Sequence, residues 1–144
     1  MERKATIVWD FDGVLAEAGK WEGHKKIGPP RAKWLNVLRW LHADGMTHHI
    51  STCRLNPNPF GKGADPDVLS GLANRCVRMW LHDQGIAHIF SEVTGMKVYG
   101  DLYIDDRMPL FSVLDDYDKP EDIYELLLEE LAMRADTIKT TVEV

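Results

Sequence analysis

The sequence predicts an α/β protein, a Rossmann-like three-layer α/β/α sandwich around a central, mostly parallel sheet, and three observations lead there. Short apolar runs alternate with longer amphipathic stretches of helical period, the order expected when helical crossovers join parallel strands. Two of the runs, ending at Trp9 and at Ile104, close directly on aspartates. The chain has 144 residues with 44% hydrophobic side chains, enough for one self-standing core, since a domain of that size buries roughly 68–70% of its unfolded surface. A single domain spanning 1–144 is expected.

The elements follow in order. Residues 5 to 10, Ala-Thr-Ile-Val-Trp-Asp, read as a buried strand that delivers Asp10 to its carboxyl end. Residues 14–30 hold Gly19, Gly23, Gly28 and the pair Pro29-Pro30, a punctuated stretch expected to form a flap or small hairpin. From Pro30 to Asp44, Trp34, Leu35, Val37, Leu38, Trp40 and Leu41 recur with helical spacing, with Pro30 suited to the first turn and Gly45 to the position past the end. Met46 to Thr52 reads as a second strand, on which His48 and His49 point to opposite faces. Leu55 to Asp65 is a Gly/Pro-punctuated loop, Asp67 to Gln84 a second helix ended by Gly85, and Ile86 to Val93 a third strand. Leu102-Tyr103-Ile104 leads into Asp105-Asp106-Arg107, repeating the pattern of strand followed by acids. Pro120 to Ala135 is a third amphipathic helix with Glu121 and Asp122 in its first turn. The tail, 137–144, alternates from Ile138 like an edge strand.

Composition narrows the function classes. A net charge of −6 argues against a broad basic surface for nucleic acid, leaving nucleic acid a role only as substrate. Cys53 and Cys76 are too few and too far apart for a disulfide framework or a metal-binding pair. The six histidines show no ligand spacing, so no zinc site is expected. No apolar stretch approaches the ~18 residues of a membrane span, and the start shows no signal-peptide pattern. The expectation is a cytoplasmic protein with no membrane partner.

In a parallel sheet with right-handed crossovers, ligands bind at the carboxyl edge near the point where strand order reverses. Asp10, Asp12, Thr52, Lys97, Asp105 and Asp106 all fall at or just after predicted carboxyl ends. A phosphate monoester resists an anionic nucleophile, so its hydrolysis needs a cation between the two and donors around the phosphoryl oxygens. Asp10 with Asp105 or Asp106 supplies the hard oxygen ligands that Mg2+ prefers. Asp10 is then suited to attack phosphorus and form an aspartyl-phosphate, and Asp12 to protonate the leaving oxygen and later deprotonate the attacking water. Gly13 permits the tight turn that brings loop amides near the phosphate. Thr52 offers a hydroxyl and an amide, and Lys97 a compact positive charge, to a phosphoryl oxygen.

Four groups of residues then carry a resemblance: Trp9-Asp10-Phe11-Asp12-Gly13-Val14-Leu15, Ile50-Ser51-Thr52-Cys53-Arg54, Lys97, and Tyr103-Ile104-Asp105-Asp106-Arg107. Their order resembles the motifs of the haloacid dehalogenase (HAD) superfamily of phosphohydrolases, over residues 5 to about 110. The resemblance implies Asp10 as nucleophile, Asp12 as acid/base, Thr52 and Lys97 as phosphate-binding residues, and Mg2+ held by Asp10, Asp12 (through its backbone carbonyl), Asp105 and Asp106. It also makes Gly13, Cys53 and Arg54 candidates for substrate contact.

That family usually carries an inserted cap domain, whereas the segments from Asp12 to Thr52 and from Thr52 to Lys97 are filled by the elements above. The chain therefore resembles the capless branch, whose open site admits a phosphorylated small molecule or polymer end, or is completed by a second copy of the chain. The expected function is a magnesium-dependent phosphatase. A catalytically silent phosphate- or metal-binding module and a phosphotransferase are the alternatives. Individually, D-x-D-G also fits a turn or calcium loop, Lys97 a solvated loop lysine, Arg54 and Arg107 structural ion pairing, and Cys53 a small buried residue. Ser51 competes with Thr52. Trp21, Lys25 and Lys26 in the flap either contact substrate or simply close a hairpin.

Overall fold

The computed structural model describes residues 4–56 and 65–142, with Pro66 and residues 136–142 described by backbone alone. Four strands, β1 (Thr6–Trp9), β2 (Thr47–Ser51), β3 (Phe90–Thr94) and β4 (Leu102–Ile104), form one parallel sheet in the order β3-β2-β1-β4. Helices α1 (Ala32–Ala43), α2 (Pro66–Asp83), α3 (Pro109–Asp115) and α4 (Pro120–Val142) flank it. The Rossmann-like α/β fold expected from the alternating pattern is the fold observed. No helix among the described residues is long and apolar enough to cross a membrane.

Register explains which residues the sheet buries. Ile7 pairs with His48 and Leu102, and Trp9 with Ile50 and Ile104, so these six side chains share one face. That face joins α1, α2 and α4 in a single apolar cluster through Leu38, Val77 and Ile123 among others. Trp9 meets Trp34 of α1 edge-on at 6.2 Å, and Trp34 stacks on Phe111 of α3 at 4.9 Å. The opposite face carries Val8, His49, Ser51 and Tyr103. It is crossed by residues 95–101, which return the chain from β3 to β4: Ser51 Oγ donates to the Met96 carbonyl, and Tyr103 Oη donates to that of Val98. A Cβ on Gly100 would collide with the Val8 side chain, so the roof on this side is a closely applied loop.

The helix ends follow the sequence signals with shifts of a residue or two. Asp65 caps α2 by accepting from Asp67 N–H at 2.9 Å, and Gly45 and Gly85 terminate α1 and α2 at positive φ. Pro30 bridges to Ala16 instead of opening α1, so that helix begins at Ala32. The first part of the expected third strand is a 3-10 turn, Ala87–Ile89. Helix α3 was not among the expected elements. One correction is larger. Residues 138–142 continue α4 instead of forming an edge strand, because Ile138 and Val142 are also spaced i, i+4 and a helix satisfies its backbone without a partner strand. Residues 143–144, and most of the loop expected from Leu55 to Asp65, lie outside the described residues.

Candidate active site

Strand order reverses between β1 and β4, since β2 lies on one side of β1 and β4 on the other. The acids emerge there: Asp10 follows β1, and Asp105-Asp106 follow β4. Asp10 N–H donates to the Ile104 carbonyl at 2.8 Å, extending the β1–β4 ladder by one bond and fixing the two acid loops side by side. The turn after Asp10 is anchored from below by Phe11, Val14 and Leu15, all fully buried, with Phe11 edge-on to Trp80 at 5.0 Å. Gly13 lies at φ +85°, and a Cβ there would sit 2.5 Å from the Asp106 carboxylate. The expected demand for glycine is therefore met twice over, by conformation and by the approach of the second loop.

Carboxylate oxygens of Asp10, Asp105 and Asp106 lie within 4.8 Å of one another. Burial pushes the Asp10 carboxyl up to about 7, against the opposing effect of the Phe11 N–H that donates to it at 2.9 Å and with the charges of Asp105 and Asp106 adding to the rise. Hydrogen bonds from Arg107 hold Asp105 below the ordinary carboxylate range in spite of its burial. An all-oxygen set of three acids, one destabilised as an anion chiefly by burial and further by the other two, is the donor chemistry that suits a hard divalent cation.

Asp12 points elsewhere. Arg54 donates Nε to Asp12 Oδ2 at 2.5 Å and an NH2 proton to Oδ1 at 2.9 Å. The same guanidinium also reaches the carbonyls of Lys26 at 3.0 Å and His24 at 3.4 Å and lies 4.8 Å from the Trp21 ring centroid. The ion-pairing reading of Arg54 is realised in this geometry, with four of its five N–H donors directed at Asp12 and the flap.

The flap is built, as expected of residues 14–30, around an Ala16–Pro30 bridge and a Glu17 N–H bond to the Pro29 carbonyl at 2.8 Å. Trp80 Nε1 donates to the Gly28 carbonyl at 3.1 Å, and Gly28 has no space for a Cβ against the Glu17 carbonyl. Beneath this flap lies a cleft of about 780 Å3 whose wall includes Asp12, Arg54, Trp21, His24 and Cys53.

The other predicted residues divide. Thr52 is buried at the carboxyl end of β2, but its amide N–H is taken by the Thr94 carbonyl at 2.9 Å and its Oγ1 accepts from Arg54 N–H at 3.2 Å. The amide foreseen for a phosphoryl oxygen is thus engaged in extending the sheet. Cys53, expected as a small buried residue, is exposed, because it opens a 3-10 turn, Cys53–Leu55, that faces the cleft. Lys97 is exposed on the loop leaving β3, the edge strand separated from β1 by β2, and pairs with no described acid.

Sequence reasoning missed Arg31. Its guanidinium donates to the Gly13 carbonyl at 2.8 Å and grips both Asp115 oxygens at 2.7 and 2.9 Å, tying the first acid loop to α3 behind the second. Burial pushes Asp115 up, but bonds from Trp34, Arg31 and Lys33 outweigh it and leave the carboxyl below its usual range. No local signal links residues 31 and 115.

No protein-family model matches the chain, and no curated protein matches it either. Among solved structures, that of a conserved protein from Bacteroides thetaiotaomicron is similar, with a TM-score of 0.57 and 20% identity over 89% of this chain and 93% of the other. At that identity the likeness speaks for the fold alone.

Proposed function

We propose that the protein is a magnesium-dependent phosphatase that hydrolyses a phosphate monoester through an aspartyl-phosphate on Asp10. The observation that carries this reading is the meeting of Asp10, Asp105 and Asp106 within 4.8 Å at the strand-order reversal, where α/β sheets bind ligands. The four ordered motifs that resemble the HAD superfamily add support, as does the placement of Asp12 beside a cleft large enough for a small molecule.

Asp10, Asp105 and Asp106 would hold Mg2+, which when bound would neutralise the acids and polarise a phosphoryl oxygen. An Asp10 oxygen attacks phosphorus as the bond to the leaving oxygen breaks, and Asp12 gives that oxygen its proton. Water then attacks the acyl phosphate, Asp12 recovers a proton from it, and inorganic phosphate and free Asp10 carboxylate result. For either transfer Arg54 must yield one Asp12 oxygen, since its fork occupies both. Lys97, exposed on the loop after β3, is the residue that the motif resemblance offers as a positive charge for a phosphoryl oxygen.

A second reading, a silent phosphate- or metal-binding module, is favoured by that same occupied state of Asp12. Phosphate release from a panel of nucleotides, sugar phosphates and phosphorylated oligonucleotides, with and without magnesium, decides between them. Metal-dependent release lost in Asp10→Asn supports the phosphatase. Absence of release from every ester, with magnesium still bound, supports the silent module.

A further inference from the structure

We propose that the cleft beneath residues 17–29 receives the alcohol half of the phosphoester, and that this alcohol carries a planar aromatic ring of nucleoside size. The placement of the phosphate rests on the phosphatase reading; the ring site rests on the cleft itself.

The cleft adjoins Asp12, whereas Asp10, Asp105 and Asp106 are not among its lining residues. An ester bridging the two regions therefore has its phosphoryl end at the acids and its leaving group under the flap, with Asp12 between. A volume of about 780 Å3 falls within the ~300–1,000 Å3 typical of small-molecule sites. The wall is preformed: the flap is pinned at its base by the Ala16–Pro30 bridge, along one side by Trp80 on the Gly28 carbonyl, and at its centre by Arg54 on the carbonyls of His24 and Lys26. A binding surface fixed in advance loses little freedom when a ligand arrives.

One side chain on that wall defines the ligand class. Trp21 is 54% exposed although it is the largest apolar side chain in the flap. The Arg54 guanidinium holds its ring on one face and His24 meets it at 5.2 Å and 83°, so the indole is fixed in orientation with surface left free. A rigid, half-bare aromatic plate is a stacking platform for another planar ring. A planar heterocycle offers a flat face to stack on Trp21, and an aliphatic polyol has none.

Equilibrium binding and turnover test this together, using adenosine and glucose as leaving-group probes and adenosine 5′-monophosphate and glucose 6-phosphate as esters. Adenosine should bind the wild-type protein more tightly than glucose, and Trp21→Ala, at an exposed position, should weaken adenosine by about tenfold. The same substitution should raise KM for the nucleotide by a similar factor, and by more than it raises KM for the sugar phosphate. Equal binding of the two alcohols, or adenosine binding indifferent to Trp21→Ala, overturns the inference. If adenosine binds through Trp21 but no ester releases phosphate, the cleft assignment stands and the phosphatase reading fails. If glucose 6-phosphate is hydrolysed and adenosine does not bind, the phosphatase reading stands and the cleft assignment fails.

Discussion

Arg54 and Asp12, 42 residues apart in sequence, form a two-point ion pair at 2.5 and 2.9 Å, and the rest of the Arg54 fork holds the flap. One guanidinium thus joins the residue proposed as acid/base to the wall proposed for the leaving group. Its side chain is only 7% exposed against 30% for Asp12, so the pair lies between the negligible surface case and the costly buried one.

Removing that guanidinium should loosen both partners. Arg54→Ala is expected to cost about 2 kcal/mol, less than a fully buried pair because water can still reach Asp12. It should also speed tryptic cleavage at Lys25 and Lys26, exposed residues of the flap, since two flap carbonyls lose their donor. Denaturant melts and timed proteolysis measure the two effects. Unchanged flap cleavage would sever the link between Arg54 and the flap.

Asp10 should make the metal-free protein less stable as pH rises. Its folded carboxyl sits at about 7 against an ordinary 3.8, so between those values the folded state binds more protons than the unfolded one and stability falls with increasing pH. Asp10→Asn removes this liability. In chelator at pH 8 the variant should be more stable than wild type, on the order of 2 kcal/mol, while losing turnover. Added magnesium should raise the melting temperature of wild type and not that of the variant, which thermal melts at matched pH would show.

Gly13→Ala should fail on two counts. A left-handed residue with a Cβ costs about 1–2 kcal/mol, and here the Cβ would also press on the Asp106 carboxylate. Divalent-ion binding should weaken more than the melting temperature alone would suggest, because the displaced group is one of the three acids. Magnesium titration followed by thermal shift tests this; an unaltered ion response would place Asp106 outside the cation site.

His48 should make the fold acid-sensitive. Burial, with the neighbouring His42 and His49 charges, pushes this imidazole down to about 4 from 6.5, and its Nδ1 accepts from Trp9 Nε1 at 2.9 Å, so the folded state holds it neutral. Between those pH values the unfolded chain binds the extra proton, and stability is lost as pH falls from 6.5 toward 4, by about 3 kcal/mol at most. His48→Asn keeps an acceptor for Trp9 without titrating, and its melting temperature should vary less over that range.

The sequence by itself determined the alternation of the four strands with three of the four helices, the parallel sheet and the delivery of Asp10, Asp105 and Asp106 to strand ends. Hydrophobic period, Gly45 and Gly85 past helix ends, and acids closing apolar runs are local signals, and local physics decides them. Tertiary structure alone decided which residues meet. It paired Arg54 with Asp12, engaged the Thr52 amide in the sheet, exposed Cys53 and carried Arg31 to the Gly13 carbonyl and Asp115. The tail went to helix because Ile138 and Val142 satisfy two periods at once. The physical reason is common to these cases: a guanidinium or an amide is satisfied by whichever donor or acceptor the fold carries to within about 3 Å, and sequence separations such as 12 to 54 or 31 to 115 hold no record of that distance.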